Sequence, residues 1–590
     1  MAPTNKKSVS LLQNHIKRMK KIALSLILIL SLSALPGWGQ PSSYHNGELL
    51  VDGKPFTLLA GELHNSTTGS VAGQRDVWAR MKANRLNTVI AAMSWELVEP
   101  EENHFDFTVL DAMIDGAGEQ GLKLVVLWFG SWKNGVSTYV PAWVKKDGKR
   151  FPRAAFKGGS PAPYLSALGK NTMQADAKAF ARMMAHIRDY DKDGTVILVQ
   201  VENEMGTLDM MSTYMGGENR SRRDYSPAAD KAFKGKVPDA LTAYLKAHER
   251  ELHPAVLSAW ERSGKRSSGT WEEVFGQGDL SLGESWQDTY PGLTEELFNA
   301  WNYATYVEHI AAAGKKEYNL PMFVNAWLKQ ESGQEPGKYP SGGAQAHLFD
   351  IWRAAAPSID IYAVDIYATR IYDWVCSTFS SFGNPLFIPE TTSTPDGASR
   401  AFYTFGRYQP LCYAPFGIDG GGVTLSADPD DPSFRLAYTL LESHMDEIRG
   451  GNTIGLLLDP ANGRNTDSAV LGKYRFSLRP NRLDLFAATA GVSATGPSGA
   501  SSQTATGVLV LQKGEDEFLV LGGVGSGSLS VSLAREDTGK TVDILSVDEI
   551  RTGTDGSSYL HRLNGDETSM GVALFRTGTA KAFLVKLYQY

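Results

Sequence analysis

Thr195-Val-Ile-Leu-Val-Gln-Val-Glu-Asn-Glu-Met-Gly206 decides how the chain is organised. A run rich in β-branched residues stops abruptly at acids, an amide and a glycine. Apolar runs of this kind mark strands buried on both faces, as in a parallel sheet. Unpaired charge is costly to bury, so Glu202, Asn203 and Glu204 place the tip of this strand in a polar pocket. Pro385-Leu-Phe-Ile-Pro-Glu-Thr-Thr392 has the same form, with Glu390 at its tip. Two strand-end glutamates far apart in sequence suggest the paired carboxylates used in glycoside hydrolysis.

Outward from this strand, the alternation of strand and helix runs in both directions. Strands are expected at residues 56–60, 88–93, 122–127, 196–201, 321–324, 359–364, 386–389 and 411–416. Helical patterns occupy 76–83, 107–120, 172–188 and 434–448. A short hairpin with Asp52-Gly53 at its turn precedes them. Eight strands alternating with helices predict a (β/α)8 TIM barrel. Polar residues gather just past the strands: Glu62, Glu96, Trp128 with Lys133, Asn325 with Trp327, and Asp365 with Tyr367. In such barrels that end carries the site, so these residues are candidates for touching substrate. Trp132 and Trp286 join Trp128 and Trp327 as candidate stacking platforms.

The fourth strand is followed by a long excursion, 207–320, largely helical and charged over 227–262. Long loops without purpose are uncommon, so it is expected to shape the pocket rim. After Gly463 glycine, serine and threonine rise and short strand patterns follow one another, predicting an antiparallel β-sandwich domain over 463–590.

At the other end, Lys17, Arg18, Lys20 and Lys21 precede an apolar run from 22 to 32, then small residues and turn formers to Gly39. That order predicts a signal peptide over 1–39, leaving 40–462 as the barrel region. The apolar run is short for a membrane span, so no stable membrane insertion is expected after cleavage. The product is expected to be periplasmic or secreted. A formal net charge of −7 argues against a nucleic-acid partner. The two cysteines, Cys376 and Cys412, neither form a disulfide framework nor fit a metal site. His64 has no second ligand at metal spacing, so neither a metal nor another cofactor is expected.

The chain resembles the retaining β-galactosidases of glycoside hydrolase family 35, in a bacterial branch with a C-terminal β-sandwich. The resemblance is carried by Gly61-Glu-Leu-His64, Trp95 with Glu99-Pro100 and Phe105-Asp-Phe107, Pro141-Ala-Trp143, Gln200-Val-Glu-Asn-Glu-Met-Gly206 and Pro389-Glu390. It implies that Glu204 is the acid/base, Glu390 the nucleophile, and Asn203 the partner of the sugar's 2-hydroxyl. Tyr367 could hold Glu390 in place. Strand parity alone leaves Glu202 and Glu204 equivalent; by resemblance Glu202 becomes a buried structural acid. Two departures bear on sugar specificity. Trp95-Glu96 stands where the family has Trp-Asn, and Trp128-Phe-Gly-Ser-Trp-Lys133 replaces a Pro-Gly-Pro-Tyr type run. The expected activity is exo-acting hydrolysis of terminal β-galactose from plant-type oligosaccharides or polysaccharides. Another retaining β-glycosidase (a β-glucosidase or arabinosidase) and a catalytically silent carbohydrate-binding protein are the alternatives.

Overall fold

The computed structural model describes residues 41–209, 221–276, 292–329, 334–421, 427–481, 504–535, 539–552, 557–569 and 571–590. The expected signal peptide and Trp286 lie outside these residues.

Eight strands form a closed barrel: β1 (Leu58–Glu62), β2 (Thr88–Ser94), β3 (Lys123–Lys133), β4 (Val196–Asn203), β5 (Met322–Trp327), β6 (Ile361–Ile366), β7 (Phe387–Thr391) and β8 (Cys412–Pro415). Each pairs in parallel with its sequence neighbour, and β8 closes on β1. The helices between and after them are α1 (Val77–Ala83), α2 (Thr108–Glu119), α3 (Lys170–Tyr190), α4 (Leu293–Glu317), α5 (Phe349–Ala355), α6 (Tyr372–Phe379), α7 (Pro395–Tyr408) and α8 (Ser433–Ile448). Alternation along the strands builds two apolar layers. Leu58, Ile90, Val125, Leu127, Ile197, Phe323, Ile361 and Phe387 pack with one another in one cluster. Val89, Val126, Val199, Val324, Val364 and Ile388 face the helices. Each fully buried side chain of this size contributes roughly 1.5–3 kcal/mol. The N-terminal hairpin adds Leu49 and Val51 to the first cluster, so the barrel's interior is packed from that side and its opening is left to the strand C-termini.

The excursion after β4 is organised differently from expectation. Its described helices, Pro227–Phe233, Asp239–Ala247, Pro254–Arg262 and Trp271–Phe275, lie against α4 and α5. Trp271 meets Phe298 of α4 edge-on at 5.4 Å, and the His253 N–H donates to Asp350 of α5 at 2.7 Å. Residues 221–276 contribute nothing to the lining of the cavity described below, so the described part is outer buttress rather than pocket rim. Residues 293–317, inside the expected excursion, are α4, a barrel helix packed on α3.

The C-terminal region is a two-sheet antiparallel sandwich. A six-stranded sheet runs in the order Thr453–Leu458, Thr506–Gln512, Glu517–Gly523, Ala580–Gln589, Val542–Thr552, Ser558–Arg562. A four-stranded sheet of Asp467–Leu471, Tyr474–Arg479, Gly527–Leu533 and Ala573–Phe575 faces it. Phe476, Phe518, Leu529, Val547, Phe575 and Phe583 fill the space between them. Its first strand starts at Thr453, ahead of the expected boundary at 463. The outer face of the larger sheet presses on α7. There Leu509, Leu511, Leu519 and Leu521 join the barrel's helix-layer cluster. A Cβ at Gly507 would lie 1.9 Å from the Ser399 carbonyl oxygen, and one at Gly455 2.2 Å from that of Tyr403. Arg400 of α7 and Asp459 form a buried ion pair at 2.8 Å. Cys376 and Cys412 are free thiols, both buried. Among the described residues no helix is long and apolar enough to cross a membrane.

Candidate active site

The end of β4 leaves the extended conformation. Glu202 and Glu204 both take left-handed backbone angles, with φ of 62° and 47°. Such angles are uncommon outside glycine and persist only where the surroundings enforce them. They send the two acids different ways. Glu202 turns toward β3 and accepts backbone N–H bonds from Ser131 at 3.1 Å and Trp132 at 2.7 Å. Beside it lies Asp176 of α3, which accepts from Trp128 Nε1 and the Ser131 hydroxyl. Burial, then each acid's proximity to the other, raises the Glu202 carboxyl well above the usual range, and burial raises Asp176. This pair is structural, as expected of Glu202.

Glu204 faces the barrel mouth, its backbone N–H held by Asn325 Oδ1 at 2.9 Å. Asn325 in turn donates to Asp365 Oδ2 at 2.8 Å. From β7, Glu390 accepts the Tyr367 hydroxyl at 2.9 Å. Glu204, Asp365 and Glu390 each bring one carboxylate oxygen within 4.8 Å of the other two. Carboxyl groups about 5–5.5 Å apart fit a double displacement, whereas inverting sites spread them to roughly 6.5–9.5 Å. A cavity of about 350 Å³ opens over them. Lys133, Trp327 and Tyr367 line it with the three acids. So do His64, Asn65, Asn134 and Phe416.

Burial sets the protonation states here, and the crowded charges refine them. Burial first, then the charge of Glu390, lifts Glu204 to about 7, with Lys133 pulling the other way. Asp365 is raised well above its ordinary value by burial, Glu390 and Glu204. Glu62, at the end of β1, is raised by burial and by Glu390. Burial alone would depress Lys133, yet Glu390, Glu204, Glu62 and Asp365 together hold it above its usual value. Burial and the neighbouring acids therefore favour the protonated form of Glu204 up to about pH 7. A general acid needs this proton.

Of the residues expected at the site, Glu204, Glu390, Lys133, Asp365, Tyr367 and Trp327 line the cavity, and Asn325 braces two of them. Asn203 and Glu62 are buried beside it, with none of their side-chain polar atoms hydrogen-bonded. Three expectations fail. Glu96 sits on a short helix, Trp95–Val98, that starts directly after β2; its carboxylate pairs with Lys145 at 3.1 Å and does not line the cavity. Trp128 is fully buried toward α3 against Phe180. Trp128 and Lys133 stand five residues apart on β3, so strand alternation turns them to opposite faces. Trp132 is likewise buried, edge-on to Tyr303 and Tyr306. Asn65, Asn134 and Phe416 were not anticipated. Asn134-Gly135 is a two-residue turn sequence of the kind that signals a tight hairpin, and it could have located Asn134.

Residues 48–319 match the profile of Glycosyl hydrolases family 35. The chain carries a family 35 domain. That match ends before β5, so Glu390 lies outside it and rests on the geometry above. Residues 434–575 match a domain of unknown function, DUF5597, which takes in α8 and most of the sandwich. A β-galactosidase of Xanthomonas manihotis is 29% identical over 237 residues, covering 37% of this chain and 37% of its own. Human beta-galactosidase-1-like protein 2 is 32% identical over 177 residues, 28% of this chain and 25% of its own. An exo-beta-D-glucosaminidase of Pyrococcus horikoshii is 26% identical over 184 residues, 27% of this chain and 22% of its own. The chain thus spans little more than a third of the length of these curated relatives at most. Among solved structures, a β-galactosidase from the psychrophilic Marinomonas ef1 aligns with TM-score 0.42 and 12% identity, over 66% of this chain and 61% of that one.

Proposed function

We propose that this family 35 chain is an exo-acting, retaining β-galactosidase that removes terminal β-galactose from plant-type oligosaccharides or polysaccharides. The observation that carries the reading is the approach of Glu204 and Glu390 within 4.8 Å at the mouth of the barrel. Glu390, oriented by Tyr367, attacks the anomeric carbon while Glu204 protonates the departing oxygen. The glycosyl-enzyme ester cancels the Glu390 charge, which ranks next after burial in raising Glu204. Glu204 then becomes a stronger acid, loses its proton readily, and serves as base toward water. A cavity near the small end of ligand pockets supports removal of single terminal sugars. The basic and apolar order of residues 17–39 supports export to the periplasm.

A second reading, another retaining β-glycosidase on the same machinery, is favoured by the similarity to an exo-beta-D-glucosaminidase and by the departure at Lys133. Proton NMR of the hydrolysis of aryl β-galactoside, β-glucoside, β-glucosaminide and α-arabinoside decides between them. β-Galactose appearing first and then mutarotating is the expected result. Retention on another sugar with an inert galactoside selects the second reading. Initial release of the inverted anomer refutes both.

A further inference from the structure

We propose that Lys133 reads a hydroxyl of the terminal sugar and so sets which neutral monosaccharide the pocket accepts; the inference rests on the glycosidase reading above. Lys133 lines the cavity and is 6% exposed. Among the described residues its ammonium makes no hydrogen bond and no ion pair within 4 Å. Its nearest recorded contact is the face of Phe129 at 4.9 Å. A lysine offers three donors and no acceptor, and a buried donor without a partner is costly. The field of Glu390, Glu204, Glu62 and Asp365 offsets part of that cost without contact. The space left between the cation and the acids is therefore one that a ligand with acceptor oxygens would complete.

The rest of the strand end is built to hold this side chain still. Asn134 and Gly135 take φ of 52° and 69°, and Lys133 and Val136 exchange backbone hydrogen bonds across them at 2.9 and 3.1 Å. Lys133 also pairs in register with Asn203 of β4. The two residues before it, Ser131 and Trp132, are anchored by Glu202. A donor fixed in advance on a rigid strand loses little entropy when a ligand arrives.

The surrounding groups define what that ligand is. Tyr367 already donates to Glu390, and Asn325 to Asp365. Glu390 Oε1, Asp365 Oδ1 and both Glu62 oxygens have no hydrogen-bond partner. A hydroxyl satisfies both kinds of group at once, accepting from Lys133 and donating to a carboxyl oxygen. A uronic acid would also accept from Lys133, but its negative charge would sit among four acids.

The test is a series of aryl glycosides, each lacking one ring hydroxyl, of whichever sugar turns over. With wild type, one deoxy position is expected to lose on the order of 10- to 100-fold in kcat/KM, as for a hydrogen bond to a charged group. In Lys133→Met the parent substrate is expected to fall by a similar factor, and that same deoxy analogue is no longer penalised. An equal loss across parent and analogues in Lys133→Met overturns the inference, since it marks a general electrostatic or structural role. If Lys133→Met does not fold, the wild-type panel decides alone: no single hydroxyl worth more than about threefold refutes the proposal. Turnover of the matching uronide as fast as the neutral sugar also refutes it. A wild type inert on every glycoside overturns the functional reading and this inference together, whereas an active wild type with uniform losses overturns the inference only.

Discussion

Glu204→Gln removes the group assigned as proton donor while keeping its shape. Burial and the Glu390 charge lift Glu204 from 4.5 to about 7, a rise corresponding to about 3 kcal/mol against ionisation. The acid form dominates below pH 7 and declines above it, to roughly a tenth by pH 8. Asp365 lies against Glu204 and is itself raised, so the limb belongs to the pair rather than to one residue. For a substrate with a poor leaving group, such as a disaccharide, wild-type kcat/KM should fall about tenfold between pH 6 and pH 8. A dinitrophenyl glycoside, whose leaving group needs no protonation, should stay nearly flat over the same range. In Glu204→Gln the disaccharide should lose about 10²- to 10⁴-fold in kcat/KM and its alkaline limb near pH 7, while the dinitrophenyl glycoside loses far less. Steady-state profiles with both substrates from pH 4.5 to 9 provide the assay. A limb near pH 7 that survives in Glu204→Gln, or equal losses on both substrates, refutes the assignment of the acid.

The same carboxyl has a stability signature. A group whose folded pKa is raised stabilises the fold most below its unfolded value and loses that contribution as pH rises through the folded value. The melting temperature of Glu204→Gln should therefore gain on wild type as pH climbs from 4.5 to 8 in scanning calorimetry, and a constant difference would contradict the raised pKa. Tyr367→Phe deletes the 2.9 Å bond to Glu390 and should lower kcat/KM by roughly 10- to 100-fold with little change in melting temperature. Gly507→Ala puts a Cβ at 1.9 Å from the Ser399 carbonyl and should destabilise by about 1–3 kcal/mol, read as a lower melting temperature. Wild-type stability in that variant would mean that the sheet can lift from α7 without cost.

The barrel was legible because its strands are apolar runs that end in polar residues, and each of the eight expected runs coincides with a strand to within a few residues. Glu390 was legible for the same reason, as an acid at the end of a buried strand, whereas Glu204 was told from Glu202 only by the family resemblance. What strand periodicity could not convey was the local departure from extended backbone. Glu202 and Glu204 share parity, yet left-handed angles at both send one to Ser131 and Trp132 and the other to the cavity. In β3, by contrast, parity alone separates buried Trp128 and Trp132 from cavity-lining Lys133. Glu96 was misplaced because a short helix begins directly after β2 and turns its carboxylate to Lys145. Asp176, which backs Glu202, comes from α3, and only tertiary packing brings a helix residue beneath a strand end. The described part of the excursion had a helical pattern that was correct and a rim position that was not, since periodicity specifies that a face is apolar and not what it meets.

The seam between the larger sandwich sheet and α7 bears on how this protein can be divided and inherited. The seam runs along the helix that follows the Glu390 strand, with glycines at 455 and 507 letting backbone meet backbone. A barrel cut off after α8 would leave that helix with a bare apolar flank and would strand Arg400 without Asp459. The two parts cannot be exchanged with those of distant homologues as loose modules are. A recombination point at their junction would have to bring matching glycines, leucines and an ion pair from both sides together.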